Sequence, residues 1–358
     1  MIGAIARWVV STLDRRGWLT WESTDPAARI LILTNAWPDR QFPARAPFMR
    51  YACEGLAAAG VPTDVLYLRG YRGKRSYLLG CLVMALLRHA APGKYELVHS
   101  HGGETALVAR FFSSAPVLAS YWGTDLLGVG EGPIGIRVRF GLRARLLRAH
   151  AVLMTATTTK SAEMESVLPR RARTRNWVIA DGVDRARFAP VDRGLARRAL
   201  GCSGDGPVAI SVGRPVLSKR LWLAESAVNH AANEIEGLTW RALSEVPPEQ
   251  MPDHYNAADV LVHTSASEGS PNVVKEALAC NLPVIATAAG DIPELLRGVE
   301  PSAVCAANPE SLAAQIVRVL RAQRRSNGRE RTAHLGLDRV AERTIACYRS
   351  LGVTLTGS

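Results

Sequence analysis

The stretch S-E-G-S-P-N-V-V-K-E-A-L-A, residues 267–279, concentrates groups that can bind an anion. Ser270 is a good N-cap and Pro271 a good first helical residue, so a helix is predicted to begin there. The backbone amides of Asn272 and Val273 would then point out of the helix, and the positive end of its dipole would favour a diphosphate. This pattern predicts an anion site that needs no glycine-rich phosphate loop.

Two carboxylates flank the predicted anion site. Glu268 lies just before the helix, and Glu276 lies in its second turn, eight positions further on. The first can reach a ligand over the helix start, and the second can accept hydrogen bonds from a neutral diol. The pair fits a sugar on one side and a ribose on the other. Spacing alone would favour a solvated helix glutamate at Glu276.

A pair of cations follows an earlier predicted strand. Gly213 and Arg214 end that strand, and Lys219 comes five residues after the arginine. Both cations could neutralise charge that develops on a phosphate leaving group. An arginine after a strand is usually a surface charge, and the presence of residues 267–279 later in the chain is what favours a role in binding.

Length and composition exclude several classes of protein. The chain has 358 residues, 47% of them hydrophobic, which predicts two domains with their own cores rather than a disordered, collagen-like or disulfide-rich chain. None of the six cysteines forms a C-x-x-C pair, so we expect reduced, structural thiols. No apolar run approaches the ~20 residues of a membrane-spanning helix. The N-terminus lacks the pattern of a secretory signal, so the protein is expected in the cytoplasm.

The net positive charge of the chain lies in its first half. Residues 1–190 contain 26 lysines and arginines against 14 acids, whereas residues 191–358 contain 18 of each. Three clusters carry the excess: Arg69, Arg72, Lys74 and Arg75; Arg137, Arg139, Arg143, Arg145 and Arg148; Arg170, Arg171, Arg173 and Arg175. We expect peripheral contact with an anionic membrane rather than nucleic acid, because aromatic residues are not interleaved with these arginines. Ordinary solvated helix faces are the alternative.

The first residues of the chain give a weaker indication of the same kind. Ile2, Ile5, Trp8, Val9 and Leu13 fall at helical spacing, with arginines beside them. This pattern is typical of an interfacial membrane helix, and equally of an N-terminal helix packed on its own domain.

Short apolar runs alternate with helical patterns along both halves, which predicts α/β domains with doubly wound parallel sheets. Predicted strands lie at 29–34, 63–68, 96–100, 116–120, 151–155, 176–180, 207–213, 238–243, 259–265, 283–288 and 302–307. Predicted helices lie at 44–59, 76–90, 104–111, 136–149, 159–168, 219–234, 248–257, 271–281, 291–297, 308–325 and 329–350. The predicted domains are 1–190 and 191–328, followed by a C-terminal helical segment at 329–358.

Several motifs together resemble the retaining GT-B glycosyltransferases of family 4. They are T-S-A-S-E-G-S-P-N-V-V-K-E-A-L-A with its E-x7-E pair, the later G-D-I-P-E-L-L, the earlier G-R-P-V-L-S-K-R and the linker I-A-D-G-V-D-R-A-R-F-A-P. In the first half, L-V-H-S-H-G-G-E and S-Y-W-G-T-D-L are similar to the family's D-x-V-H-x-H and H-G-x-D segments. The resemblance implies two facing Rossmann-like domains with a cleft between them, the acceptor side on the first and the donor on the second.

The resemblance also implies roles for the residues singled out above. The donor would be a UDP-, GDP- or ADP-sugar, with no obligatory metal or cofactor. Arg214 and Lys219 would hold its diphosphate, Glu268 its sugar and Glu276 its ribose, and Glu268, Arg214 and Lys219 would be the catalytic residues. The other donor-binding positions would be Gly213, Gly269, Ser270, Pro271, Asn272 and Val273.

Candidates on the acceptor side are His101, Trp122 and Asp125, and the C-terminal helix would cross back onto that domain. This chain departs from the family in the first half, because Trp122 stands where the family has a histidine. His99 and His101 are nearby substitutes, although each is more typical of a satisfied strand-end histidine. In the linker, Asp181 replaces the family's asparagine.

The predicted activity is retaining transfer of a sugar to a glycan or lipid-linked acceptor in polysaccharide or cell-envelope synthesis, at the inner face of the membrane. Such transfer is usually drawn as front-face substitution, in which the enzyme supplies orientation and charge stabilisation. One alternative is an inactive nucleotide-sugar-binding subunit of a glycan assembly complex. Another is a GT-B epimerase or phosphorylase. The sequence does not distinguish the base, the sugar, the linkage or the oligomeric state.

Overall fold

The computed structural model describes residues 9, 11–23, 25, 27–39, 41–42, 45–90, 92–128, 133–202 and 204–355. The chain divides into a first unit, Met1–Gly128, Phe140–Ala180 and Asp338–Ser358, and a second unit, Val129–Arg139 and Asp181–Leu337. Ile2, Ile5 and Trp8 of the predicted N-terminal helix lie outside the described residues. Val9 and Leu13 pack against the core of the first unit.

The first unit is built on one mostly parallel sheet. Its strands are β1 (Leu19–Ser23), β2 (Ile30–Thr34), β3 (Thr63–Leu68), β4 (Leu97–His101), β5 (Val117–Ser120), β6 (Ala156–Thr159) and β7 (Asn176–Val178). They lie in the order β1-β3-β2-β4-β5-β6-β7. Only β1 runs antiparallel, against β3, and it adds an edge that the apolar pattern did not predict.

Helices cover both faces of this sheet. They are α1 (Pro47–Ala58), α2 (Arg75–Ala90), α3 (Gly103–Phe112), α4 (Gly123–Leu126), α5 (Ile134–His150), α6 (Ala162–Ser166) and α7 (Arg170–Arg173), with α15 (Leu337–Ser350) at the end of the chain. Alternation along β2 sends Leu31 and Leu33 into a core under α2 and α3, and Ile30 and Ile32 into a core under α1 and α15. Hydrophobic side chains on both faces of each strand are what a parallel sheet requires.

One predicted strand, 151–155, is wrong. Ala151–Leu153 forms a 3₁₀ turn, and the strand begins at Ala156. Ala151 and Met154 are buried from within this turn. The apolar run therefore marks burial rather than strand geometry, and the three consecutive threonines of β6 supply the β-branched residues of the real strand.

The second unit has its own parallel sheet. The strands are β8 (Val208–Val212), β9 (Thr239–Leu243), β10 (Val260–His263), β11 (Val284–Thr287) and β12 (Ala303–Cys305), in the order β12-β11-β10-β8-β9. Its helices are α8 (Arg193–Ala199), α9 (Leu221–Ala232), α10 (Met251–Ala257), α11 (Asn272–Ala279), α12 (Ile292–Leu295), α13 (Pro309–Arg321) and α14 (Gly328–Arg331). A core of β8, β10 and β11 residues under α9 and α13 holds this unit together.

Residues 181–190, predicted to end the first domain, belong to the second unit. Backbone carbonyls of this segment accept hydrogen bonds from buried or half-buried cations. Lys275 donates to the Asp181 carbonyl at 2.7 Å, and Arg329 donates to the Phe188 carbonyl at 2.7 Å. At the other end, the predicted helix 329–350 is interrupted after Arg331 and resumes as α15.

The last helix completes the core of the first unit. Tyr348 of α15 is fully buried, and its hydroxyl lies 2.7 Å from His99 Nδ1. The other ring nitrogen of His99 lies 2.7 Å from the Ser120 hydroxyl. His99 is therefore a satisfied structural histidine that joins β4, β5 and α15. Among the described residues, no helix is long and apolar enough to cross a bilayer.

Candidate functional site

The site predicted around residues 267–279 forms where two neighbouring strands of the second sheet end. β8 and β10 pair in parallel, so their carboxyl ends meet at one edge. A short 3₁₀ turn, Leu217–Lys219, follows β8, and the loop to α11 follows β10. This topology brings Lys219 Nζ to 2.5 Å from Glu268 Oε1 although 49 residues separate them.

Glu268 is the electrostatic centre of this site. Its carboxylate is 16% exposed, and its Oε1 atom also lies 3.4 Å from Nε2 of the buried His263. Burial opposes ionisation, but His263 and Lys219 outweigh it and lower the pKa of Glu268 to about 2. The carboxylate is therefore fully ionised at neutral pH and acts only as a hydrogen-bond acceptor. His263 was not predicted, because it is the last residue of an apolar strand.

Arg220, the residue after Lys219, fixes the two loops to each other. It takes a left-handed backbone conformation (φ 45°), and its guanidinium donates to the carbonyls of Thr264 at 2.7 Å and Ser265 at 3.0 Å. In return, the Thr264 hydroxyl donates to the Lys219 carbonyl at 3.0 Å. These bonds hold Lys219 and Glu268 in register before any ligand arrives. Arg220 was not predicted as a site residue, although it follows Lys219 directly in K-R-L.

The helix predicted to bind an anion begins one residue later than expected. Pro271 is the N-cap and Asn272 the first helical residue, so Ser270 does not cap α11. The reason is the backbone of Pro271 (ψ 115°), which is extended rather than helical. The buried atoms Ser270 Oγ and Asn272 Oδ1 have no hydrogen-bond partner in the described part of the chain. Together with the first amides of the helix, including that of Val273, they leave polar groups available for a ligand.

Glu276 is held in place and is not a freely solvated helix glutamate. The hydroxyl of the buried Tyr255 donates to Glu276 Oε2 at 2.9 Å. Burial raises the pKa of Glu276, while Tyr255 and the charge of the neighbouring Lys275 act in the opposite direction. The second carboxylate oxygen, Oε1, has no hydrogen-bond partner among the described residues and is the atom that could accept from a diol.

The loop after β11 packs against the Glu268 loop. Gly290 has φ 57°, and a Cβ at this position would lie 2.6 Å from the Gly269 carbonyl oxygen and 2.9 Å from that of Glu268. Only glycine permits such an approach. The next residue, Asp291, is buried, which raises its pKa to about 6 against the opposing effects of Ser270 and Lys275.

Gly213 and Arg214 differ from Lys219 in how firmly they are placed. Gly213 has φ 148°, a backbone conformation in which a side chain is strained, and it packs against the Lys219 side chain. Arg214 is exposed, and no ion pair or hydrogen bond joins its side chain to another described residue. The structure therefore brings Lys219, Glu268 and α11 together and leaves Arg214 at the surface of the second unit.

In the first unit, Asp125 joins two loops. Its Oδ2 atom accepts hydrogen bonds from the amides of Gly103 and Trp122, both at 3.0 Å, and its Oδ1 atom accepts one from Arg143 at 2.7 Å. The carboxylate is buried, which raises its pKa despite the opposing charge of Arg143. Asp125, predicted on the acceptor side, thus holds the backbone around Trp122 and the start of α3.

The remaining acceptor-side candidates belong to two aromatic pairs, one buried and one half-buried. The rings of His99 and His101 lie 4.1 Å apart, and Phe48 meets Trp122 edge-on at 6.5 Å. Burial, with a smaller effect of Lys160, lowers the pKa of His101 well below its usual value, so the ring is neutral. Trp122 Nε1 and His101 Nδ1 are buried without a hydrogen-bond partner in the described part of the chain.

The chain matches a family model described as "Glycosyl transferases group 1" over residues 209–322, which covers β8 through α13. A D-inositol 3-phosphate glycosyltransferase of Geodermatophilus obscurus is 31% identical over 316 residues, 74% of this chain and 69% of the relative. The chain therefore belongs to the group 1 glycosyltransferase family, and it is a glycosyltransferase. This confirms the resemblance at the level of the family.

Solved structures show the same fold. Sucrose-phosphate synthase from Thermosynechococcus elongatus superimposes with a TM-score of 0.71 at 20% identity, covering 90% of this chain and 99% of that one. The Anabaena protein Alr3699/HepE in complex with UDP gives a TM-score of 0.65 at 16% identity, covering 90% and 100%. The predicted fold class, two Rossmann-like α/β domains of the GT-B type, is confirmed.

The position of Glu268 predicts an acid-dependent loss of stability. Its folded pKa of about 2 lies below the ordinary value of 4.5, so its contribution is complete above pH 4.5 and is lost as pH falls through 2. Glu268→Gln should lower the free energy of unfolding by about 3 kcal/mol at most at pH 7, and the deficit should fall by more than half by about pH 3. Urea denaturation of the wild type and the variant at pH 7 and at about pH 3 measures this difference in the free energy of unfolding.

The matched control for this measurement is Glu225→Gln, an exposed glutamate on α9. This variant should track the wild type at both pH values. A Glu268→Gln deficit that stays constant between pH 7 and pH 3 would contradict the depressed pKa.

Proposed function

We propose that the chain transfers a sugar from a nucleotide-diphosphate sugar to a hydroxyl acceptor with retention of configuration, and that the second unit binds the donor. The observation that carries this proposal is the Lys219–Glu268 pair beside the N-terminus of α11. The pair and the helix start place a cation, an ionised carboxylate and unpartnered polar atoms at one edge of the sheet. This combination suits a diphosphate next to a polyhydroxylated ring.

The diphosphate lies, in this proposal, between Lys219 and the first amides of α11. Lys219 already faces the site through its bond to Glu268, whereas Arg214 is exposed and free to reorient toward a phosphate. The two cations neutralise charge on the leaving diphosphate as the glycosidic bond breaks, which is the main electrostatic demand of the reaction. Asn272 and Val273 supply backbone donors.

The nucleoside end of the donor lies beside Glu276. With Oε2 taken by Tyr255, the carboxylate offers Oε1 to the hydroxyls of a ribose. Burial makes such a hydrogen bond stronger than it would be at the surface. The structure of a protein of the same fold in complex with UDP supports a nucleotide ligand, although the base for this chain stays open.

The reaction proceeds by front-face substitution in this proposal. The acceptor oxygen forms a bond to the anomeric carbon as the bond to the phosphate oxygen breaks, and the acceptor's proton moves to that phosphate oxygen. Glu268, ionised and held by its bond to Lys219, accepts a hydrogen bond from a hydroxyl of the transferred sugar and orients the ring. No metal or cofactor takes part in these steps, and assays with a chelator test that point.

The acceptor is proposed to be a glycan or lipid-linked intermediate of polysaccharide or cell-envelope synthesis at the inner face of the membrane. The uneven charge of the sequence supports it, because the whole excess of basic residues lies in residues 1–190. A small phosphorylated polyol is the second candidate, supported by the name of the relative that is 31% identical. Transfer of radiolabelled sugar to inositol phosphate, compared with transfer to a membrane lipid extract, separates the two.

An inactive nucleotide-sugar-binding subunit is the remaining alternative, motivated by Trp122 in place of the family's histidine. Trp122 is half-buried against Phe48 and offers the reaction no acid or base. Front-face substitution needs none from this position. Release of nucleoside diphosphate from a panel of nucleotide sugars, with a lipid extract as acceptor, decides between an enzyme and a sensor.

Removing either cation should abolish most turnover. Lys219→Ala and Arg214→Ala each delete a charge that stabilises the leaving group, and we expect kcat/KM to fall about 10²-fold or more in each. Arg297→Ala, which removes an exposed arginine elsewhere in the second unit, is the matched control. Near-normal rates in both site variants would refute the diphosphate assignment.

Loss of the Glu276 carboxylate should weaken nucleotide binding selectively. A thermal-shift panel of UDP, GDP and ADP with EDTA should show stabilisation by one nucleotide, about 2.7 kcal/mol at a hundred times its dissociation constant. Glu276→Ala should remove most of that shift, and Glu225→Ala should retain it. A full shift in Glu276→Ala would contradict the ribose assignment, and a shift only with added metal would contradict metal-free binding.

A further inference from the structure

The outer surface of one helix layer of the first unit is unusually apolar. This layer contains α2, α3 and α5, which lie over the same side of the sheet because all three contribute to one core. α2 packs on α3. The start of α3 contacts α5, because a Cβ at Gly103 would overlap the Leu147 side chain. The end of α3 lies beside the turn after α5, because Arg110 Nε donates to the Leu153 carbonyl at 2.8 Å.

Large hydrophobic side chains point away from the core on every element of this layer. Their exposed fractions are 69% for Leu78 and 49% for Leu82 on α2, 60% for Phe111 on α3, 59% for Leu142 and 63% for Leu146 on α5, and 50% for Leu153 in the turn. We call these six residues the leucine face. The pairs on α2 and α5 are each spaced by four residues, so each pair forms one stripe along its helix.

The opposite helix layer of the same unit provides an internal comparison. α1 and α15 cover the other side of the sheet. Among the described residues of these two helices, none is an exposed large hydrophobic. The exposed apolar surface is therefore specific to one side of the unit and is not a general property of its helices.

Positive charge surrounds the leucine face. Exposed arginines on the same elements and on α7, which shares their core, include Arg75, Arg88, Arg145, Arg170, Arg171 and Arg173. The one acid on α2, α3, α5 and α7 is Glu104, and it is paired with Arg143 at 2.5 Å. In the predicted cluster on α5, Arg143 and Arg148 do not contribute, because their side chains bond to groups inside the unit.

We propose that the leucine face and its arginines dock the first unit on an anionic lipid surface. Leucine and phenylalanine side chains that enter the lipid interface gain apolar burial, and arginines around them meet the lipid phosphates. A second copy of the chain would also cover the leucines, but it would bring two arginine-rich surfaces together at a cost in repulsion. Charge complementarity therefore favours lipid over self-association. This assignment stands independently of the donor site.

Vesicle flotation with the full chain tests the proposal. The wild type should float with vesicles of phosphatidylcholine containing about 30% phosphatidylglycerol, and much less with phosphatidylcholine alone. The double variants Leu78→Glu/Leu82→Glu and Leu142→Glu/Leu146→Glu should each lower the partition coefficient about tenfold or more. Both replace exposed side chains, so their melting temperatures should match that of the wild type.

The matched control is Val191→Glu/Leu195→Glu, which changes two exposed apolar residues of the second unit. It should float like the wild type. Absence of wild-type binding to anionic vesicles, or full binding by both leucine-face variants, would overturn the proposal. So would a wild-type dimer in sedimentation that the leucine-face variants dissociate, because the face would then be covered by a second copy.

Discussion

The ion pair between Lys219 and Glu268 is the interaction on which the proposed donor site depends. Parallel pairing of β8 and β10 delivers the two residues to one sheet edge, and Arg220 fixes their loops before a ligand is present. A carboxylate held this way remains ionised at neutral pH and fixes the lysine beside the loop that leads to α11. The site therefore meets its ligand largely preorganised, which is how enzymes stabilise charge most effectively.

The first unit uses buried polar contacts for a different purpose. Asp125 ties the loops after β4 and β5 together, and His99 joins those strands to α15. Neither group is arranged as an acid or base, which agrees with a reaction in which the leaving phosphate takes the proton. The unit supplies a rigid scaffold, with an apolar, arginine-rich surface on one side of its sheet.

The sequence predicted where the candidate site lies, at the ends of two strands, better than it predicted the residues that hold those strand ends in place. The pattern at 267–279 predicted the helix start to within one residue, although Pro271 and not Ser270 is the N-cap. It did not identify His263, Arg220 or Tyr255, since each acts through a contact between distant segments. Glu276 illustrates the limit, because spacing allowed a solvated glutamate and only the Tyr255 hydrogen bond shows a fixed one.

Charge counting had a similar limit. The arginine cluster of α5 divides by helix geometry into side chains that bond inside the unit, such as Arg143, and side chains that face outward, such as Arg145. Composition alone could not distinguish the arginines that bond inside the unit from those that face outward. The strand predicted at 151–155 was wrong for a related reason, because an apolar run reports burial but not whether the buried backbone is a strand or a turn.

In the proposed mechanism, Lys219 is shared between Glu268 and the diphosphate of the donor. A ¹³C NMR titration of the Glu268 carboxyl between about pH 6 and pH 3, with and without saturating nucleoside diphosphate, tests it most directly. Without nucleotide the signal should stay that of the ionised form throughout, because the pKa is about 2. With the matching nucleotide, Lys219 also interacts with the diphosphate. Its effect on Glu268 then weakens, and the pKa of Glu268 should rise. A pKa near the ordinary 4.5 in the free protein, or no change on saturation, would contradict the account.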